Sequence, residues 1–245
     1  MIREEIGCLK VRLFEIFTSV EGEGILYGTK TLFVRLAGCP FKCFYCDTKE
    51  ALPIASGQEY QIDDAKKLIG DSLAKNTYKV NFTGGDPLFQ AEAVSELAKF
   101  VQQKKIPTYL ESSCFDSEKF SQVLPFFDYI KIEFKTPDSE FVDKFHYSKL
   151  LENELRCLEL AMNSGKTTYI KIVVSSRTGL DEFRNLVRSI FEIASKPKIA
   201  GFIIQPTYGI AEPNLTQLLE FYDAVYSYYD EVRIVPQLHK FIGAP

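Results

Sequence analysis

The 245-residue sequence predicts an α/β protein built from repeated strand and helix units, and three observations carry that prediction. Past residue 30, short β-branched and aromatic runs alternate with longer stretches of helical period. Gly, Pro, Asn or Ser punctuates the junctions. The chemically unusual residues fall just past the carboxyl ends of the strand candidates, where open α/β sheets and parallel barrels both carry their sites.

In chain order, strands are expected at Thr31 to Ala37, Tyr78 to Thr83, Thr108 to Ser112, Tyr129 to Phe134, Tyr169 to Val174, Gly201 to Gln205 and Val232 to Val235. Val11 to Phe17 reads as an added N-terminal strand. Helices are expected at Ile62 to Lys75, Ala91 to Gln103, Glu118 to Leu124, Lys149 to Asn163, Asp181 to Ala194 and Leu215 to Tyr229. Ile170 to Val174 and Phe202 to Ile204 read as apolar on both faces, as parallel strands covered by helices or lining a barrel would be. About six βα units leave two architectures open: a doubly wound sheet, or a complete or partial parallel barrel. No repeat, low-complexity tract or long linker divides the chain, so one domain over residues 1–245 is expected.

Composition narrows the function classes. Hydrophobic residues make up 46% and charged residues 25%, as in folded globular proteins. Lys plus Arg total 29 against 33 Asp plus Glu, a net charge of −4, and the pI is near 5.4. That balance offers no footprint for a phosphate backbone, so nucleic-acid binding is not expected. Apolar runs such as Ile199 to Ile204 are far short of the roughly 18 to 20 residues that cross a bilayer. Met1 to Lys10 carries Arg3, Glu4 and Glu5 where a signal peptide would be apolar. A cytoplasmic location without membrane contact is the expectation.

Of six cysteines, three crowd into eight positions: Cys39, Cys43 and Cys46. This is ligand spacing rather than a disulfide framework. Cys8, Cys114 and Cys157 stand alone and read as small buried hydrophobes. Structural zinc is closed by four protein ligands, and electron-transfer clusters normally take four cysteines. Three thiolates on a four-iron cubane instead leave one iron open to a substrate or cofactor. The competing readings are a zinc site completed by a distant Cys, Asp or His, and a non-catalytic iron–sulfur or zinc module used for sensing or scaffolding.

The C-x3-C-x2-C spacing of Cys39-Pro-Phe-Lys-Cys43-Phe-Tyr-Cys46, with Tyr45 before the last cysteine, resembles the signature of the radical S-adenosylmethionine (SAM) superfamily. Thr83-Gly84-Gly85-Asp86-Pro87 is similar to that superfamily's GGEP segment, with Asp in place of Glu; a double glycine lets backbone approach a ligand closely. The resemblance implies a partial parallel (β/α)6-type barrel, with the N-terminal strand added and the C-terminal tail closing the site. It implies a 4Fe-4S cluster whose open iron chelates SAM, and a 5′-deoxyadenosyl radical formed on reduction. A flavodoxin- or ferredoxin-type donor would supply the electron. Tyr45, Cys46, Asp47, Gly84, Gly85, Asp86, Lys135 and Gln205 would lie against SAM. Only Lys135 of Ile132-Glu133-Phe134-Lys135 matches the family's Ser-Pro-Lys run.

Four stretches narrow the resemblance: Phe17-Thr-Ser-Val-Glu-Gly-Glu-Gly24, Thr31-Leu-Phe-Val-Arg-Leu-Ala-Gly-Cys39, Cys46-Asp47-Thr48 and Pro236-Gln-Leu-His-Lys240. They are similar to the 7-carboxy-7-deazaguanine synthase family from about residue 14 onward, loosely over 50 to 75 and 138 to 165. The resemblance implies ring contraction of 6-carboxy-5,6,7,8-tetrahydropterin with loss of ammonia, on the route to deazapurine bases of tRNA, by a homodimer assisted by Mg2+. Thr48 would offer a hydroxyl to Mg2+; capping a helix is its bland alternative. Arg35 would hold the pterin carboxylate, against a structural salt bridge. Val20, Glu21, Gly22 and Glu23 would form a loop over the pterin, whose guanidine-like edge suits a carboxylate, although the family usually has Gln where Glu21 stands. Thr83, His239 and the carboxylate of Pro245 would complete the substrate site. A radical SAM activase, or a relative using another pterin, is the alternative within enzymes.

Overall fold

A computed structural model describes residues 9–139 and 144–244, so Cys8 and Pro245 lie outside the described residues. Its strands are β1 (Lys10–Val20), β2 (Lys30–Leu36), β3 (Gln58–Gln61), β4 (Lys79–Gly84), β5 (Thr108–Ser112), β6 (Tyr129–Phe134), β7 (Thr167–Val174), β8 (Phe202–Pro206) and β9 (Val232–Ile234). They form one sheet in the order β3-β1-β2-β4-β5-β6-β7-β8-β9. β1 pairs antiparallel with β2 and β3, and every pairing from β2 through β9 is parallel.

The parallel strands follow chain order without reversal, so the switch point of a doubly wound sheet is absent and each connection steps the same way. Of the two architectures left open, this is the barrel type. Among the described residues β3 and β9 do not pair, which leaves the barrel partial.

The helices are α1 (Ile62–Ser72), α2 (Ala91–Gln103), α3 (Ser117–Val123), α4 (Lys144–Asn163), α5 (Leu180–Ile193), α6 (Leu215–Tyr226) and α7 (Leu238–Ile242). Val94, Leu97, Ala98 and Val101 recur at helical spacing and bury one side of α2. Asn214 and Gln217 start α6 with reciprocal hydrogen bonds to each other's backbone. Two elements were not expected. β3 is four residues with only Tyr60 partly buried, and α7 is five residues with none buried, so neither carries an apolar period.

Successive strand residues point to opposite faces. Val80 and Phe82, Ile130, Ile132 and Phe134, Ile170, Ile172 and Val174, and Phe202 and Ile204 pack outward into one apolar core beneath the helices. Each fully buried side chain of this size contributes about 1.5–3 kcal/mol. The alternate residues of the same strands include the polar Asn81, Lys131, Glu133, Lys171 and Gln205. The reading of Ile170 to Val174 as apolar on both faces is therefore corrected, because Lys171 turns inward to meet buried carboxylates. At the amino end the interior is closed by Tyr109, Tyr169 and Ile203, against Ile25, Leu26, Tyr129 and Val235. Cys114 and Cys157 are both buried in the core.

Candidate active site

The carboxyl ends of the strands open into a cavity of about 570 Å3. Every expected site residue within the described part lines it, from Val20–Glu23 and Arg35 through the three cysteines to His239. Two positive-φ glycines build its rim. Gly38 (φ +96) turns the chain from β2 into the cysteine loop, and Gly84 (φ +128) ends β4 so closely against Leu36 that a Cβ would strike that residue's backbone. A Cβ on Gly85 would strike Gly38 in the same way. Gly85 N–H donates to Leu36 O at 2.9 Å and Asp86 N–H to Gly38 O at 2.7 Å. The double glycine thus welds the end of β4 to the stem of the cysteine loop.

Asp86, expected against a cofactor, turns its carboxylate to its own chain. It accepts from Ser112 Oγ, from Ser113 N–H at 2.8 Å and Oγ at 2.6 Å, and from Leu88 N–H at 2.9 Å. Burial raises its pKa, against these donors.

Cys39, Cys43 and Cys46 are unbridged thiols. Burial, then the charge of Asp86, pushes Cys39 up to about 12, and burial also raises Cys46. A metal centre that takes them as thiolates must therefore displace protons. Three thiolates tetrahedral on one zinc at 2.3 Å would stand about 3.8 Å apart. Among the described residues they do not form a set of ligand atoms within 4.8 Å of one another. The wider spread suits a cluster, and among the described residues no further thiol lines the cavity, which suits one with an open corner.

Lys135 Nζ reaches Tyr45 Oη at 3.4 Å and pairs with Glu133. Burial alone would lower its pKa, but Cys43, Glu133 and Tyr45 outweigh that and hold it well above the usual lysine range.

Glu23, His239 and Asp47, the residue after Cys46, gather with ligand atoms within 4.8 Å of one another. Gln237 Nε2 donates to Glu23 at 2.9 Å and to Asp47 at 3.2 Å, and His239 Nε2 lies 3.3 Å from Asp47. Burial would raise Asp47, but the His239 contact and the charge of Lys240 hold its carboxyl well below the usual range. Thr48 makes no side-chain cap, which removes its bland reading; it accepts from Arg35 Nη1 at 3.0 Å and donates to Asp47 at 3.2 Å. Arg35 also makes the salt bridge that competed with ligand binding, Nε to Glu15 at 2.7 Å, while still lining the cavity. Leu238 N–H donates to Gly22 O at 3.0 Å, and a Cβ on Gly22 would strike the His239 ring, so α7 docks on the β1–β2 loop.

A ladder of buried charges also lines the cavity. Lys131 pairs with Glu111 at 2.5 Å and Glu133 at 2.8 Å; Lys171 pairs with Glu133 at 3.1 Å and Glu23 at 2.5 Å. Glu111 stands opposite Lys131 in the register, and Glu133 opposite Lys171. Burial opposes ionisation of Glu133, yet the three lysines around it hold it well below the usual range. Gln205 donates to Glu23 at 3.1 Å, which places it at this carboxylate. Lys79, Asn81, Glu111, Lys131, Glu133, Lys171 and Gln237 escaped the sequence reading as site residues. Polar residues at every second position of β4 and β6 were the available signal.

Residues 33–190 match the radical SAM superfamily. The 7-carboxy-7-deazaguanine synthase of Methanocaldococcus jannaschii is 30% identical over 247 residues, 94% of this chain and 98% of that protein. That of Archaeoglobus fulgidus is 31% identical over 241 residues, covering 96% and 99%. The chain belongs to the 7-carboxy-7-deazaguanine synthase family of the radical SAM superfamily. Membership implies a 4Fe-4S cluster and SAM, the donor set that the cysteine loop fits. Escherichia coli QueE shares the fold of this synthase-family chain with a TM-score of 0.63, at 17% identity over 96% of each chain. A domain of the pyruvate-formate lyase-activating enzyme of Bacteroides vulgatus shares it at 0.52 and 18% identity, covering 64% of this chain and 98% of that one. Among the described residues no helix is long and apolar enough to cross a membrane.

Proposed function

We propose that this chain converts 6-carboxy-5,6,7,8-tetrahydropterin into 7-carboxy-7-deazaguanine with release of ammonia. The observation that carries the reading is one cavity lined both by the three thiols and by a carboxylate, arginine and histidine cluster. Cys39, Cys43 and Cys46 would hold the 4Fe-4S cluster. When bound, the cluster and SAM supply a 5′-deoxyadenosyl radical that abstracts hydrogen. The Gly84–Gly85 backbone, Tyr45 and Lys135 would flank SAM, with Asp86 fixing that backbone from behind.

Arg35, already turned by Glu15, would present the rest of its planar fork to the pterin carboxylate. Thr48 and Asp47 offer oxygen donors that fit Mg2+, a hard cation that would orient pterin oxygens. Glu21 and Glu23 would accept from the ring N–H groups, and His239, seated on Gly22, would close the site from water. The ladder of paired charges would keep the interior electrically balanced while ammonia leaves. Exposed Leu215, Leu219 and Tyr226 on α6 support a homodimer, and the need for a low-potential electron supports a cytoplasmic flavodoxin- or ferredoxin-type donor.

Anaerobically reconstituted protein given SAM, dithionite and carboxytetrahydropterin is expected to release 7-carboxy-7-deazaguanine and ammonia, read by mass spectrometry. Intact pterin recovered under SAM-cleaving conditions would overturn the reading.

A further inference from the structure

Lys79, the first residue of β4, takes no part in the proposed reaction, yet its side chain is wholly buried. Its ammonium donates to Glu21 Oε2 at 2.5 Å and Thr31 Oγ1 at 3.0 Å, and lies 4.4 Å from the centroid of the Tyr109 ring. Glu21 meets it from the β1–β2 loop and lines the cavity. That loop is pinned at this residue: Glu21 N–H donates to Thr29 O at 2.7 Å, and Glu21 O accepts from Gly28 N–H at 2.8 Å.

Asn81, two residues along β4, donates through Nδ2 to Glu21 and to Glu111, at 3.2 Å each. Burial pushes Glu21 up and Lys79 down, and their close pairing opposes both shifts, while Glu111, against its burial, is held ionised by Lys131 and Lys171. A carboxylate paired in this way only accepts, so the amide cannot be reversed, and Asn81 Oδ1 is left buried without a hydrogen-bond partner. An orphaned buried acceptor carries a cost. Asn81 is therefore oriented by the needs of the two carboxylates rather than its own.

We propose that Lys79 and Asn81 are positioning residues that act through Glu21, fixing its carboxylate at the cavity wall as an acceptor that selects a heterocycle presenting N–H donors there. This rests on the reading that the cavity takes a carboxytetrahydropterin, whose 2-amino edge offers such donors. A glutamine at position 21 could turn its amide to donate or accept; a carboxylate held by an ammonium cannot donate. An analogue with oxygen in place of the 2-amino group sets a carbonyl against the carboxylate, and is expected to be rejected by roughly 10²-fold or more in kcat/KM.

The test compares the wild type with K79M, E21Q and E21Q/K79M, measuring kcat and KM for carboxytetrahydropterin and kcat/KM for its 2-oxo analogue. K79M is expected to raise KM about tenfold or more, with a much smaller change in kcat, and to lose most of the discrimination. In the E21Q background, removing Lys79 is expected to leave KM within about twofold and to raise Tm, since an unpaired buried ammonium is gone. A K79M enzyme with KM within about twofold of wild type overturns the proposal. So does an equal rise in KM whether residue 21 is Glu or Gln, because Lys79 would then act by another route. The single variant is expected to lose roughly 6–12 °C in Tm; if it does not fold, E21Q against the double variant carries the same test. A wild type that leaves the pterin intact refutes the proposed function, a result distinct from an active wild type indifferent to Lys79.

Discussion

The outer and inner faces of the parallel sheet are built from alternate residues of the same strands, yet different physics holds each together. In β6, Ile130, Ile132 and Phe134 enter the apolar core, where the cost of a change follows the volume removed. Their neighbours Lys131 and Glu133 face the cavity, where the cost follows charge. Removing one partner of a buried ion pair strands the other, while removing both is often close to neutral. A strand period of two thus encodes stability on one face and chemistry on the other.

Beyond both faces lies the cysteine loop, and the largest expected effect is there. Cys43→Ala is expected to abolish SAM-dependent 5′-deoxyadenosine formation while far-UV circular dichroism stays native, because the loop follows β2 rather than joining the sheet. A variant that unfolds would show that the loop supports the fold.

The next prediction sets adjacent residues of β7 against each other. Lys171→Met is expected to cost about 3–5 kcal/mol in urea unfolding, and Ile172→Ala about 2–5 kcal/mol. Only the first is expected to raise KM for the pterin, and adding Glu23→Gln is expected to recover part of the stability lost at Lys171. Equal effects on KM would dissolve the distinction between the faces.

A weaker effect appears with pH. Burial opposes ionisation of Glu111, but Lys131 and Lys171 outweigh it and hold its pKa at about 2, against an ordinary 4.5. A depressed carboxyl contributes stability in full above its unfolded value and loses it as pH falls through the folded one. Stability is therefore expected to decline between about pH 4.5 and 2, and Glu111→Gln is expected to flatten that decline, read from urea midpoints across the range. The smallest change in stability is expected for Gly22→Ala, which pushes on His239 at the cavity mouth; KM is expected to rise while Tm barely moves.

Much of the fold was legible because the outer face announces itself locally. Ile130-x-Ile132-x-Phe134 and Ile170-x-Ile172-x-Val174 mark strands without any knowledge of their partners. The cysteine loop was equally legible, since its three thiols are neighbours in sequence. The charge ladder was not, because a buried lysine is explained only by a carboxylate that register or loop packing brings to it. Glu21 finds Lys79 across 58 residues and Lys171 finds Glu23 across 148. Asp86 shows the same dependence: its contacts with Ser112 and Ser113, at the end of the next strand, could not be read from its own motif. β3 and α7 carry too few buried positions for any period to register.

The central claim is that Cys39, Cys43 and Cys46 hold an iron cubane with one corner open to SAM. Metal analysis of anaerobically reconstituted protein, with electron paramagnetic resonance of the reduced form before and after adding SAM, tests it most directly. The account predicts iron and sulfide in the ratio of a 4Fe-4S cluster and a signal whose g-values move when SAM binds. Zinc in place of iron, or a cluster signal indifferent to SAM, would contradict it.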